Sequence, residues 1–221
     1  MTSAPVSSAT DRPIGPVTVE ADYDPALSRW LWLVKWLLAL PHYLVLALLF
    51  VGFAVVWVIA LFAILFTARF PRVLFDYNLG VLRWAWRVTY YTYGSLGTDR
   101  YPPFTLGPAP DYPARLDIAY PQRLSRGLVL VKWWLLVLPQ ALLVSMMVGG
   151  TSWAGGVAGL LVFYAGVALL FTGGYPRGMY DFNVGLHRYA ARVTAYSALM
   201  TDVYPPFRLD QGGREPARTA L

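Results

Sequence analysis

The chain has no cysteine. Disulfides, thiolate metal sites and cysteine nucleophiles are therefore excluded. Only two histidines occur, His42 and His187, and two isolated imidazoles do not make a metal site. Charge is scarce as well. Charged residues are 14% of the 221, where a soluble domain usually carries about 25%. No Asp, Glu, Lys or Arg lies between Lys35 and Arg69, or between Lys132 and Arg177. Uncharged apolar runs of that length indicate membrane spans. A glycine-rich phosphate loop, a nucleophile elbow and an HExxH helix are also missing. Asp99 and Asp202 have the chemistry of general bases, but nothing nearby offers a nucleophile. The expectation is a protein that is not an enzyme, with no cofactor and no metal.

What is present is a duplication. From Phe66 to Tyr91 against Phe171 to Tyr196, 13 of 26 positions are identical. Thr98-Asp99 with Tyr101-Pro102-Pro103-Phe104 then returns as Thr201-Asp202 with Tyr204-Pro205-Pro206-Phe207. Such self-similarity marks a tandem repeat. Each copy opens on a stretch that alternates like a half-buried strand, Val17 to Tyr23 and Ala114 to Tyr120. The units span 17–106 and 114–209, with 107–113 as linker. The ends, 1–16 and 210–221, read as disordered tails.

The apolar block 30–67 is too long for one straight crossing. At 1.5 Å per residue it would measure about 57 Å, against about 30 Å of hydrocarbon. Two spans, about 30–50 and 53–68 with a turn at Gly52, fit the length. The second block has spans at about 127–148 and 155–173 around a glycine-rich turn at 149–156. Pro41 and Pro139 are expected to kink the first span of each unit. The fold expected is an α-helical membrane protein with four transmembrane helices as two tandem hairpins. Each hairpin is followed by an amphipathic interfacial helix, about 71–96 and 176–199, and a small cytoplasmic β element completes the unit. Charge avoids the turns and gathers at the flanks, which places both termini and both motif segments in the cytoplasm of a multi-pass cell-membrane protein. The net charge of +6 thus reflects topology and anionic lipid, not nucleic acid.

In the motif helices Asp76, Gly80, Arg83, Arg87 and Tyr91 fall on one face, and Asp181, Gly185, Arg188, Arg192 and Tyr196 repeat it. Leu79, Leu82, Trp86, Tyr90 and Tyr93 form another face. That amphipathicity suits a membrane interface. Arg72, Arg83 and Arg87, with Arg177, Arg188 and Arg192, are candidate anion or lipid-headgroup ligands, because the guanidinium fork matches oxyanions. The alternative is that they fix the fold by pairing with aspartates and backbone carbonyls. Gly80 and Gly185 allow close approach of a neighbouring element. The two lysines, Lys35 and Lys132, sit about two turns into each first span. They either snorkel or form structural ion pairs with Asp76 and Asp181. On that pairing, Asp76→Ala is expected to cost more stability than Arg83→Ala. Each opening strand is expected to pair with the chain after Phe104 or Phe207.

The motif Pro-Arg-x-x-x-Asp-x-Asn-x-Gly-x-x-Arg-x-x-x-Arg-Val, closing with Thr-Asp-x-Tyr-Pro-Pro-Phe, resembles an uncharacterised family of bacterial membrane proteins. That family is known only as a domain of unknown function, often in tandem. The resemblance covers about 20–106 and 117–209. It implies a membrane protein and carries no activity, substrate or cofactor. Two departures are visible: a longer passage, Tyr93 to Gly97, in the first copy, and His187 where the first copy has Leu82.

The function expected is a non-catalytic accessory or scaffold module of the bilayer that binds anionic lipid or a membrane-protein partner. The alternative is a small transporter or channel built on parallel repeats related by a pseudo-two-fold axis, completed by homo-oligomerisation.

Overall fold

The computed structural model describes residues 15–149 and 156–211. Both predicted tails fall almost wholly outside those residues, as does most of the predicted turn at 149–156. The elements are β1 (Val17–Ala21), a 3-10 turn (Leu31–Leu33), α1 (Lys35–Leu38), α2 (Leu40–Thr67), α3 (Arg72–Tyr91) and β2 (Ala114–Ile118). They continue with α4 (Arg126–Val131), a π-helical turn (Lys132–Leu136), α5 (Leu138–Met147), α6 (Gly156–Thr172) and α7 (Arg177–Ser197).

The two strands pair with each other, antiparallel, and not with the chain after Phe104 or Phe207. Val19 faces Leu116, its own counterpart in the second repeat. A pseudo-two-fold axis therefore passes through the middle of the ribbon. The alternation is as read: Val17, Val19, Ala21, Ala114, Leu116 and Ile118 are buried, while Thr18, Glu20, Arg115 and Asp117 form the other face. An isolated two-stranded ribbon is marginal in water. This one lies on α3 and α7, and its inner face joins one core with Phe75, Leu79, Trp86, Tyr180 and Val184.

The apolar blocks form the next layer, and four transmembrane helices are not what the chain builds. α2 runs unbroken through Gly52 for 28 residues. The reason lies in residue counts. Pro41 and Phe66 are 25 positions apart, and their counterparts Pro139 and Phe171 are 32 apart. The second repeat carries seven further residues and breaks into α5 and α6. The first repeat lacks the residues a turn would need. Among the described residues α2 is the one helix long and apolar enough to cross a membrane alone. Arg126–Leu136 and Leu138–Met147 together form one bent apolar pair at 44°, and α6 is shorter, with 17 residues.

The prolines act where the sequence put them. Pro41 and Pro139 each sit in the first turn of a new helix, after a break, where a missing N–H costs no hydrogen bond. Lys132 to Pro139 is one residue longer than Lys35 to Pro41. The extra residue is absorbed as a π turn, with Val137 N–H donating to the Lys132 carbonyl.

α3 and α7 are amphipathic but not surface-lying. α3 turns back along α2: Tyr77 donates to the Leu49 carbonyl, and Leu46 packs on Trp84 and Val88. Its arginine face is turned to the ribbon and the exit chain instead of the headgroups. Gly80 permits this closeness, since a Cβ there would stand 2.8 Å from Leu106 Cβ. At Gly185 it would stand 2.5 Å from the Leu209 carbonyl oxygen.

Candidate functional site

Two kinds of polar contact repeat. The first stays inside each unit. Lys35 Nζ sits 2.8 Å from Asp99 Oδ1 and donates to the Thr98 carbonyl. Lys132 Nζ sits 2.7 Å from Asp202 Oδ1 and donates to the Thr201 carbonyl. The same aspartates accept the Ser28 and Ser125 amides. The lysines therefore do not pair with Asp76 and Asp181. Those two lie in the second turn of α3 and α7 and are taken by Arg72 and Arg177 in i,i+4 pairs at the surface. The repeated Thr-Asp was the signal for the true partners, and its role is to pin the start of the apolar block to the end of the unit.

The second kind crosses between units. Arg83 of α3 donates to the Leu116 carbonyl in β2, and Arg188 of α7 donates to the Val19 carbonyl in β1. Tyr120 donates to the Phe70 carbonyl and Tyr23 to the Tyr175 carbonyl. Arg72 stacks over Tyr120, and Arg177 over Tyr23, both at 4.6 Å. Each motif helix thus holds the strand that opens the other unit. The halves are intertwined around the Val19–Leu116 axis.

Arg87 and Arg192 complete the frame, and here the halves diverge. Arg87 donates to the Thr105 and Gly107 carbonyls. Arg192 donates to the Arg208 carbonyl and, at 2.6 Å, to Asp210 Oδ2, which Arg208 also approaches at 2.9 Å. Asp210 aligns with Gly107, three residues beyond Phe207 and Phe104. The first half has no such carboxylate. Among the described residues no ion pair reaches Arg87; it is 2% exposed and its Nε–H has no partner. Burial, with repulsion from Arg83 adding to it, lowers its pKa from the usual arginine value.

Beside Arg87 lies a cleft of about 350 Å³ between the ribbon, α3 and the Gly107–Pro110 linker. Arg83, Arg87, Arg115, Glu20 and Asp117 supply its charge. Arg83 is paired with Asp117 at 2.5 Å, and Arg115 with Glu20 and Asp22 at 3.0 Å each, which leaves Arg87 as the cleft arginine that no described carboxylate contacts. Pro108, Ala109 and Leu116 give it apolar wall.

Of the six candidate arginines, then, Arg83, Arg87, Arg188 and Arg192 face inward onto protein, and Arg72 and Arg177 remain exposed. Gly107 and Asp210, assigned by sequence to the linker and the tail, turn out to define the difference between the halves. Extending the Tyr-Pro-Pro-Phe alignment by three residues would have paired them.

The two departures from the repeat also meet. His187 Nε2 is 2.7 Å from the Gly94 carbonyl, which Asn183 Nδ2 also reaches at 3.0 Å. The longer passage of the first copy is held by the histidine peculiar to the second.

No curated protein and no solved structure matches the chain. Residues 29–105 and 130–208 match a family described as a domain of unknown function, DUF4389. Both strands precede the matched stretches, so each domain copy is completed by a strand from the other half. The matched residues make up most of the chain, and the protein belongs to the DUF4389 family as a tandem pair of its domains.

Proposed function

We propose that the protein is a non-catalytic module embedded in the cell membrane through its apolar layer, with its ribbon and motif helices on the cytoplasmic side. The observation that carries this is the free face of α2. Leu44, Leu48, Val51, Val55, Ile59, Phe62 and Phe66 are all about half exposed or more. Their spacing keeps them on one stripe about 33 Å long at 1.5 Å per residue. A helix apolar on every side belongs either in a protein core or in lipid. Only 17% of its most apolar window is buried in the protein, so the core alternative does not account for it. Leu138, Leu142 and Met146 of α5, and Leu160, Phe163 and Phe171 of α6, extend the exposed apolar surface.

Arg72 and Arg177, exposed just past the ends of α2 and α6, are the residues this reading assigns to anionic headgroups. Each would contribute about 1 kcal/mol near such a surface. The 350 Å³ cleft lies by the ribbon and not within the apolar layer, so it lends nothing to a transport pathway.

Alkaline carbonate extraction and flotation test the embedding: the protein should stay with the membrane, and release into the soluble fraction overturns the reading. Cysteines placed at Ser3 and Thr219 should resist an impermeant thiol reagent in intact cells. Labelling of either would overturn the cytoplasmic placement.

A further inference from the structure

The second repeat contains a filled version of a site that is open in the first. In both, an arginine of the motif helix, Arg87 or Arg192, donates to the carbonyl one residue after the Pro-Pro-Phe turn. In the second repeat the next charge is internal. The Asp210 carboxylate meets Arg192 and Arg208, and its side chain is 12% exposed. In the first, Gly107 stands at that position, Thr105 replaces Arg208, and the cleft opens beside them. A buried cation without a counter-charge is costly. Arg83 is engaged with Asp117, and Arg115 with Glu20 and Asp22, so among the described residues no carboxylate contacts Arg87.

We propose that this cleft binds a small carboxylate-bearing molecule, its carboxylate taking beside Arg87 the place that the Asp210 side chain takes beside Arg192. The inference stands apart from the membrane reading and uses none of the lipid-facing surface. Asp210 accepts from Arg192 Nη2, whereas Arg87 Nη2 already donates to the Thr105 carbonyl, so the ligand's carboxylate would accept the Arg87 Nε–H, which has no partner among the described residues. Its body would lie against Pro108, Ala109 and Leu116, so a short acid with some apolar surface fits better than a fully polar one. A charge-assisted hydrogen bond to guanidinium is the strong kind, and the ribbon carboxylates Glu20 and Asp117 disfavour a second negative charge.

The test uses the full-length protein in detergent, with thermal melting and calorimetric titration. Acetate, butyrate and succinate are compared with chloride at matched ionic strength. Butyrate should raise the melting temperature of the wild type in a concentration-dependent way, and more than succinate does. Gly107→Asp supplies the missing carboxylate from within. Gly107 lacks a left-handed φ, and an added Cβ there would meet only Thr105 Oγ1, at 3.3 Å. Gly107→Glu gives a longer reach, because Asp210 has φ 33° and its backbone differs. One of the two should raise the ligand-free melting temperature and weaken butyrate binding at least tenfold. Equal melting of the wild type in carboxylate and chloride overturns the proposal, whichever variants fold. So does undiminished binding in both acidic variants. Stabilisation by inorganic phosphate with none by the carboxylates would overturn the ligand class.

Discussion

The two halves of this protein are tied to one another by a repeated set of contacts and differ in how each is finished. The lysine pins, the arginine-to-strand bonds and the tyrosine bonds recur in both with the same partners. The length of the apolar helix, the passage after Tyr91 and the residue opposite Arg87 or Arg192 do not recur. The difference teaches where the constraint lies. A strand donated across a two-fold axis must fit its acceptor, so a change in one half would have to be matched in the other. The exposed end of an apolar helix is bound by no such reciprocity.

The lysine pins should show the largest equal effect. Lys35→Ala would leave Asp99 in a site that excludes most water, and Lys132→Ala would do the same to Asp202. Removing one member of such a pair costs about 3–5 kcal/mol. Both variants should lose comparable melting temperature in detergent, and a large loss in one half alone would break the equivalence.

The arginine clamps come next and reverse the order expected from sequence. Arg83→Ala removes bonds to the Leu116 carbonyl and to Asp117, and hydrogen bonds to charged groups are worth about 1.5–3 kcal/mol. Asp76→Ala loses only a surface pair with Arg72, worth about 0.5 kcal/mol or less. Denaturant titration of the two single variants decides between them, and an Asp76→Ala loss as large as that of Arg83→Ala would contradict the structure.

The glycines should discriminate the halves more finely. Overpacking costs about 1–3 kcal/mol. Gly185→Ala drives its Cβ to 2.5 Å from the Leu209 carbonyl oxygen, whereas at Gly80 the added Cβ stands 2.8 Å from Leu106 Cβ and 2.9 Å from the Leu106 carbonyl oxygen, a milder overlap. Melting temperature should fall further for Gly185→Ala.

His187→Leu gives the second half the residue of the first, and its expected cost is the smallest, about 1 kcal/mol, because Asn183 still donates to the Gly94 carbonyl. Its signature is pH dependence. Burial lowers the His187 pKa in the folded protein below the ordinary 6.5. The unfolded chain therefore takes up the proton first. The stability tied to neutral His187 is complete above pH 6.5 and declines as pH falls from there towards the folded value. Unfolding measured between pH 8 and pH 5 should show that decline in the wild type, and His187→Leu should flatten it.

Much of this was legible in the chain. The strand alternation at Val17 to Ala21, the helix starts behind Pro71 and Pro176, and the close approach at Gly80 and Gly185 all follow from local rules of burial, backbone geometry and side-chain size. The seven-residue difference in length between the two apolar blocks was also there to be counted, and the shorter one runs straight through Gly52. The repeat itself fixed that Lys35 and Lys132, or Arg83 and Arg188, would do equivalent things. What it could not fix was with whom. Asp76 and Asp99 are both carboxylates at plausible distances along the chain from Lys35, and only the return of the exit segment to the start of the apolar block puts Asp99 beside it. Likewise β1 has the same pattern whether it pairs within its unit or across it. Pairing depends on where the backbone groups of α3, α7 and β2 stand once folded, a non-local arrangement that hydrophobic periodicity does not encode. The sequence determined the elements and their faces; the tertiary structure decided the exchange of strands between halves and left Arg87 without the carboxylate its counterpart has.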